Sequence, residues 1–306
     1  MINIIKKIRL LISNYLWLHT LAKHKSRMGY AEAPKYSKHH EKAKKKYTEK
    51  IEIDNNVNFC IKEFQKNSYS QYMSDENKLL ANSVMKKITK EEKINDIWDK
   101  NYRYKISDIF QSYNEIQKLF TGDLDKILRG IFNSQYMIFY GLMYKSVHSG
   151  LIPTGSQLWH SDGGPGTCIN IMFCLNETNE KNGAMECLPW NLSKKLFKKE
   201  RKLFNVGGLP SSTNDREKYR ESICNFYRQE INDNHKENVA RLSGPPGNII
   251  LFSNNLIHRG GFPKIDHKRY VCIFHVYPSL HRITHFYYIK YGVTKRKPYP
   301  DIYDLK

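Results

Sequence analysis

Cysteine is scarce in this sequence, and none of it is arranged as a redox or zinc-binding pair. The 306 residues include six Cys, and no two of them form a CxxC motif. This excludes thioredoxin-like and zinc-ribbon proteins. Most of these thiols fall in or beside apolar runs, where Cys usually serves as a small buried apolar group. We therefore expect a protein of the reducing cytoplasm.

Long apolar runs and common nucleotide motifs are also missing. The longest uncharged run near the start, residues 10–18, is too short to span a bilayer. No small-residue cleavage site follows it, so a secretory signal peptide is not expected. The sequence contains no GxGxxG, P-loop or GxSxG motif, which argues against a Rossmann domain, a P-loop NTPase and an α/β-hydrolase.

Acidic residues are few compared with basic ones. There are 50 Lys and Arg against 30 Asp and Glu, for a net charge of +20, and residues 1–50 hold 13 of the basic but only 3 of the acidic residues. Such an excess can attract anionic lipid or nucleic acid. It is equally typical of a Lys-, Asn-, Ile- and Tyr-rich composition with solvated lysines. No nucleic-acid-binding module is recognisable, so we expect no specific nucleic-acid partner.

Residues 1–50 are predicted to form a basic N-terminal segment. Apolar residues at helical spacing in residues 1–22 predict an amphipathic helix. Two alternatives are open for this helix: docking on the rest of the protein, or weak peripheral contact with a membrane. Residues 23–50 are rich in Lys and His and predict an exposed connector.

Residues 51–306 are predicted to form one mixed α+β domain. Helical periodicity covers residues 56–95 and 108–133, and a polar insertion at 194–243 contains two helical stretches, near 194–203 and 215–232. Asn182-Gly183 is a strong hairpin signal. Short apolar runs bounded by turns predict strands at residues 136–144, 168–175, 184–189, 248–252 and 269–277.

The tripeptide His160-Ser161-Asp162, followed 96 residues later by His258, is the most informative motif. Two imidazoles and one carboxylate can occupy one face of an Fe(II) ion and leave positions open for a cosubstrate and O₂. Both parts of the motif adjoin predicted strands, which hold ligands rigidly. Arg269, 11 residues after His258, offers a planar fork for a dicarboxylate; its alternative is a surface ion pair with Asp266.

Four stretches around these residues resemble the phytanoyl-CoA dioxygenase-like branch of the Fe(II)/2-oxoglutarate oxygenases. They cover about half of residues 151–306: LWHSDGGPGTCINIMFCLNET (158–178), NGAMECLP (182–189), PPGNIILFSNNLIHRGG (245–261) and KRYVCIFHVYP (268–278). The resemblance implies a double-stranded β-helix (jelly-roll, cupin-like) core with N-terminal and flanking helices outside it.

The resemblance also implies roles for individual residues. His160, Asp162 and His258 would bind Fe(II), and Arg269 would bind the distal carboxylate of 2-oxoglutarate, with O₂ as the second cosubstrate. Asn170 shares a strand face with Met172, so we expect it to line the pocket and to contact the cosubstrate; core packing is the alternative. Four further histidines are interpreted as structural: His267, His275, His281 and His285.

The sequence departs from the family pattern at two places. Pro189-Trp190-Asn191-Leu192-Ser193 replaces the Pro-Gly-Ser-His turn that is frequent in the family, and Gly260 replaces a polar residue two positions after the second His. The loop that often contacts the substrate is therefore atypical. Trp159 and Trp190 are candidates for substrate platforms or for packing.

We interpret the chain as an Fe(II)/2-oxoglutarate-dependent oxygenase. We expect it to hydroxylate a small or carrier-linked organic substrate, with release of succinate and CO₂. Two alternatives come from other classes: a non-enzymatic, membrane-associated jelly-roll protein, and a cupin-like metalloenzyme that does not use 2-oxoglutarate.

Overall fold

A computed structural model describes residues 34–94, 97–98, 103–106, 109–148, 155–162, 168–204, 213–279, 289–290 and 294–295. The amphipathic helix predicted in residues 1–22 lies outside these ranges. Within the described ranges, no helix is both long and apolar enough to cross a bilayer.

The described residues between 34 and 132 are mainly helical. Asp54 and Ser74 cap two of these helices, because their side chains accept hydrogen bonds from Val57 N and Asn77 N in the first turns. A 3-10 helix, Asn114–Phe120, joins the last two. The helices are α1 Pro34–Lys46, α2 Asn55–Asn67, α3 Asp75–Glu92, α4 Ile109–Ser112 and α5 Asp123–Phe132.

A six-stranded antiparallel sheet forms the centre of the molecule. Its strand order is β1-β7-β4-β9-β3-β2. The longest pairing joins β3 to β9, with Ser146 opposite Arg269 at one end. The strands are β1 Tyr69–Tyr72, β2 Arg103–Ile106, β3 Gln135–Ser146, β4 Ile169–Cys174, β7 Ile249–Ser253 and β9 Arg269–Ser279.

A three-stranded antiparallel sheet faces the large one. It contains β5 Met185–Cys187, β6 Ala240–Leu242 and β8 His258–Arg259, in the order β6-β5-β8. An isolated antiparallel bridge between His160 and His258 continues this small sheet toward the large one. A separate two-stranded ladder pairs β10 Ile289–Lys290 with β11 Thr294–Lys295.

The two faces of the large sheet belong to different cores. In β4, Ile171 and Phe173 pack with the N-terminal helices, whereas Met172 and Cys174 pack against the small sheet. This division follows from the alternation of side chains along a strand. Because both faces are covered, every residue of β4 is buried, and the strand has the near-continuous apolar sequence of a central strand.

The insertion between β5 and β6 is helical, as the sequence predicts. It contains α6 Trp190–Phe204 and α7 Thr213–Asn234. A third apolar cluster joins these helices to Trp159, Leu188 and Ile257 beside the small sheet. The insertion thus packs on the side of the small sheet that faces away from the large one.

The cysteine interpretation is confirmed in structural terms. All six Cys are buried and free. Burial raises the pKa of Cys60 and Cys174 to about 11, so these thiols stay protonated at neutral pH. They act as packing groups.

Three expectations about local structure are wrong. Asn182-Gly183 is not a hairpin turn, since β4 and β5, the strands on either side, belong to different sheets. Residues 34–46 are not an exposed connector, because they form α1, where Ala43 is buried and His40 Nε2 bonds to Phe132 O at 2.7 Å. The helical region 56–95 is interrupted by the edge strand β1, which pairs with β7.

Candidate metal centre

The first and last residues of the predicted triad meet across a backbone bridge. His160 N donates to His258 O at 3.0 Å, and His258 N donates to His160 O at 2.8 Å. This pair of bonds places the two imidazole centroids 4.5 Å apart. Both residues are buried, at 6% exposure each. Residues distant in sequence are thereby held side by side by main-chain bonds, which are more rigid than side-chain contacts.

Both imidazoles have a defined tautomer. Nδ1 of His160 donates to Leu158 O at 2.7 Å, and Nδ1 of His258 donates to Leu256 O at 2.8 Å. A carbonyl can only accept, so each Nδ1 carries the proton. In the neutral imidazole Nε2 is then the nitrogen with the lone pair, which is the tautomer that a metal ligand bound through Nε2 requires.

Asp162 faces both Nε2 atoms. Its Oδ1 lies 3.6 Å from Nε2 of His160, and its Oδ2 lies 3.8 Å from Nε2 of His258. These distances are too long for hydrogen bonds, so the donors point at a common space. One ligand atom from each of the three residues falls within 4.8 Å of the others, which fits a single metal ion.

Asp162 is held in its charged form. Burial favours the neutral acid, but His258, His160 and His275 outweigh it whenever they carry a proton on both ring nitrogens, and the net effect lowers the pKa of Asp162. A hydrogen bond from Asn170 adds to this effect, with Nδ2 at 2.5 Å from Asp162 Oδ2. The carboxylate keeps 29% of its exposure, which places it at the mouth of the site.

Asn170 lies beneath the carboxylate. Its Nδ2 also donates to Asn254 Oδ1 at 3.2 Å, and Asn254 O accepts from Asp162 N at 3.1 Å. The amide thus links β4, the end of β7 and the Asp162 loop. Asn170 lines the cleft described below and contacts the carboxylate of Asp162, and its contact with a cosubstrate stays a prediction.

A cleft with a volume of about 110 Å³ extends from the triad between the two sheets. Arg269, 6% exposed, lies in it as the first residue of β9. Its Nη1 donates to Gly183 O, and its Nη2 lies 3.4 Å from Ser146 Oγ. Because Arg269 is buried in the cleft, it does not form the surface ion pair with Asp266 that was the alternative. The cleft therefore contains the three donor residues at one end and the cationic side chain of Arg269 at the other.

Arg259 points away from this cleft, because successive side chains of a strand alternate and Arg259 follows His258 in β8. Its Nε and Nη2 lie 2.8 and 2.6 Å from Glu186 Oε2, and its guanidinium stacks 4.7 Å from the centroid of Trp159. Trp159 is 3% exposed, so it serves as packing. Arg259 belongs to the outer face of the small sheet.

Sequence reasoning missed several residues that line the cleft. Gly260, noted only as a departure from the family, lies beside Arg269, and His275, interpreted as structural, also faces the cleft. Strand alternation from Arg269 would have identified Val271, Ile273 and His275 on the same face. No comparable signal marked the residues from β3 and from the 3-10 turn Gly155–Gln157: Tyr144, Ser146 and Ser156.

Fold and site together define a protein with a two-histidine, one-carboxylate centre on an antiparallel β scaffold. The chain belongs to the phytanoyl-CoA dioxygenase (PhyH) family, whose model matches residues 66–264. Enzymes of this family depend on non-haem Fe(II), with 2-oxoglutarate and O₂ as cosubstrates, and the two imidazoles and one carboxylate described above are a donor set that fits Fe(II). No protein of curated function matches the sequence.

Several solved structures have a similar fold. EctD from S. alaskensis, solved with bound Fe, aligns with a TM-score of 0.50 at 14% identity, covering 76% of this chain and 81% of that one. The 2-oxoglutarate-dependent carbocyclase SnoK from nogalamycin biosynthesis also gives 0.50, at 10% identity, covering 74% and 87%. EvdMO1 gives 0.47 at 17% identity, covering 72% of this chain but only half of EvdMO1. At these identities the likeness shows the fold, a mixed α+β architecture with antiparallel sheets.

Proposed function

We propose that this protein is an Fe(II)/2-oxoglutarate-dependent oxygenase that hydroxylates a small or carrier-linked organic substrate, with release of succinate and CO₂. One observation carries the proposal: three donor atoms lie within 4.8 Å of one another in a cleft that also contains the buried cation of Arg269. A metal that binds dioxygen and a cosubstrate needs an open coordination face and an anion anchor.

His160, Asp162 and His258 would hold the iron. The donor set of two neutral imidazoles and one carboxylate suits Fe(II), and the protonated Nδ1 atoms direct both Nε2 lone pairs toward the ion. Iron bound there supplies the activation of O₂. Asn170 is a positioning residue, since its bond to Oδ2 leaves Oδ1 of Asp162 as the oxygen available to the metal.

Arg269 would bind the distal carboxylate of 2-oxoglutarate. A guanidinium buried in a cleft forms charge-assisted, potentially bidentate bonds with a carboxylate. Gly260 lacks the polar side chain that is frequent at this position of the family. Ser146 Oγ, 3.4 Å from Arg269 Nη2, and the neighbouring Ser156 supply hydroxyl groups at the same end of the cleft.

The residues around the cleft would also exclude water. The cleft that contains the triad and Arg269 also has an apolar wall, formed by Met172, Met185, Phe252 and Ile273. Such a wall suits the two methylene groups of 2-oxoglutarate and strengthens the ionic contact at Arg269 by lowering the local dielectric. We further infer that the two facing sheets are the halves of a double-stranded β-helix.

Two other functions make different use of the same residues. A metalloenzyme that ignores 2-oxoglutarate has no need for a cation at the inner end of the cleft. A non-enzymatic membrane-associated protein has no need for three converged donors with fixed tautomers. Both features are present, and they favour the oxygenase.

The direct test is metal binding combined with cosubstrate turnover. His160→Ala, Asp162→Ala and His258→Ala should each reduce Fe(II) stoichiometry in anaerobic titrations and abolish succinate formation, while circular dichroism stays like that of the wild type. A screen of metabolites coupled to succinate formation would then identify the substrate. Wild-type iron stoichiometry and turnover in all three variants would refute the assignment.

A further inference from the structure

Two backbone turns cross at close range behind Arg269. Gly183, in the turn before β5, has a φ of +81°, and a Cβ there would lie 2.7 Å from Gly261 O. A Cβ on Gly261, in the turn after β8, would collide with Ala184 O and lie 2.7 Å from Gly183 C. Only residues without side chains allow the turns to approach this closely.

Other bonds hold this crossing in place. Asn182 and Pro263 form an isolated antiparallel bridge, and Lys264 N donates to Lys181 O at 2.7 Å. Within the first turn, Ala184 N donates to Asn179 O at 2.8 Å. Main-chain hydrogen bonds thus hold the crossing, and Gly183 and Gly261 cannot separate without breaking them.

The crossing contacts the guanidinium of Arg269 directly. Gly183 O accepts from Nη1 of Arg269. Gly260, the residue before Gly261, borders the other nitrogen, because a Cβ there would lie 3.0 Å from Nη2. The carbonyl of Gly183 therefore fixes the direction of the Arg269 guanidinium, and the absence of a side chain on Gly260 leaves room for it.

We propose that the Gly183–Gly261 crossing is a positioning element that aims Arg269 at the cosubstrate carboxylate. This inference rests on the proposed function, in which Arg269 is the anion anchor. A guanidinium binds a carboxylate in bidentate fashion only when its plane has the correct orientation. The crossing supplies that orientation through main-chain atoms, which explains why the Asn-Gly turn is present although no hairpin follows it.

The test measures 2-oxoglutarate binding calorimetrically on anaerobic Ni(II)-loaded protein, so it does not depend on turnover. Gly260→Ala and Gly261→Ala should each weaken 2-oxoglutarate binding about 10-fold or more, with Ni(II) affinity unchanged. Gly122→Ala is the matched control, since a Cβ there meets nothing within 4 Å, and it should leave both affinities unchanged.

A double-mutant cycle separates positioning from general damage. If the glycines act through Arg269, Gly261→Ala should add no further loss of 2-oxoglutarate affinity to an Arg269→Ala protein. An additive loss would overturn the inference. If Gly261→Ala does not fold, Gly260→Ala decides, because its new methyl meets the end of a side chain: wild-type 2-oxoglutarate affinity in that variant would overturn the inference.

The failure of the inference differs from the failure of the proposed function. Unchanged 2-oxoglutarate affinity in Arg269→Ala would show that Arg269 is not the anchor. A large loss in Arg269→Ala together with no loss in either glycine variant would leave the anchor in place and remove only the role of the crossing.

Discussion

At the scale of single residues, the site is defined by which side-chain atoms are already engaged. In both imidazoles Nδ1 donates a hydrogen bond to a backbone carbonyl, and Asp162 accepts a hydrogen bond from Asn170. The remaining donor atoms face one another at distances too long for hydrogen bonds. This arrangement distinguishes a ligand set from a group of buried hydrogen-bonded histidines, the alternative that sequence alone left open.

The two neighbouring arginines provide a matched pair for testing the anchor. Arg269→Ala should weaken 2-oxoglutarate binding by roughly 2–5 kcal/mol, or about 30- to 4000-fold, because a charge-assisted pair in a buried cleft is lost. Arg269→Lys should restore affinity only in part, since an ammonium lacks the fork. The measurement is the 2-oxoglutarate KM in the succinate assay.

Arg259→Ala serves as the control for that experiment. Its guanidinium pairs with Glu186 on the outer face of the small sheet, so the KM for 2-oxoglutarate should not change. If the KM for 2-oxoglutarate rose in Arg259→Ala but not in Arg269→Ala, the residue that binds the carboxylate would be Arg259 on the outer face.

Asp162 also determines the class of oxidation that is expected. A halide can bind the metal only where the carboxylate ligand is missing, and here the carboxylate faces both imidazoles. Products formed in the presence of chloride or bromide should therefore contain no halogen when examined by mass spectrometry. Detection of a halogenated product would contradict the role of Asp162 as a ligand.

At the scale of elements, a half-buried polar cluster joins α3 to the large sheet. Glu92, at the end of α3, accepts from Lys145 Nζ at 2.6 Å, Trp98 Nε1 at 2.5 Å and Tyr270 OH at 3.1 Å. These partners come from β3, the segment after α3, and β9. The helix that covers the sheet is thus bonded to the strand that carries Arg269.

Glu92 should make stability depend on pH. Burial favours the neutral acid, but the bonds from Lys145, Trp98 and Tyr270 outweigh it, so the pKa of Glu92 is lowered from its ordinary value of 4.5. A lowered pKa in the folded state stabilises the protein above 4.5, and this stabilisation is lost as the pH falls through the folded-state pKa.

We therefore expect Glu92→Gln to reduce the free energy of unfolding by roughly 1.5–3 kcal/mol at neutral pH. The difference from the wild type should shrink in acid. Urea unfolding of both proteins over a series of pH values checks this, with the exposed Glu237→Gln as a control. A difference that stays constant from neutral to acid pH would show that the charge of Glu92 contributes nothing.

At the scale of the whole molecule, the start of the described chain is part of the fold. Besides the His40 bond to Phe132, Glu49 binds Arg129 at 3.1 Å and Gln135 at 2.6 Å. These contacts join residues 34–50 to α5 and β3. The basic segment predicted at residues 1–50 thus contains a structural part, and the role of residues 1–33 stays a prediction.

Two truncations separate these parts. Removal of residues 1–50 should lower Tm, because it removes the packing of α1 and the ion pair at Arg129. Removal of residues 1–33 should also lower Tm if the predicted helix docks on the domain, which is the outcome we expect. Thermal unfolding and sedimentation with anionic vesicles are measured on both forms. Salt-sensitive vesicle binding that is lost on removing 1–33, with Tm unchanged, would instead establish an interfacial helix.

Much of the site was predictable from sequence because its residues lie in runs with strong local signals. His160, Asp162, His258 and Arg269 adjoin apolar strands and tight turns, and alternation placed Asn170 and Met172 on the cleft side of β4. The same periodic signals located most strands and the two helices of the insertion to within a few residues. Local periodicity depends only on residues that are close together in the sequence, so it can be recognised without knowing the fold.

What the tertiary structure decided depends on contacts between distant residues. Only the fold shows that the Asn182-Gly183 turn leads from one sheet to the other, that Tyr69–Tyr72 becomes an edge strand on β7, and that Asn170 bonds to Asp162. Strand partners, burial of charge and the direction of a guanidinium are set by pairing and packing across the chain. The sequence by itself indicated the proposed ligands and the proposed anchor, and the arrangement of the sheets brings these residues into one cleft.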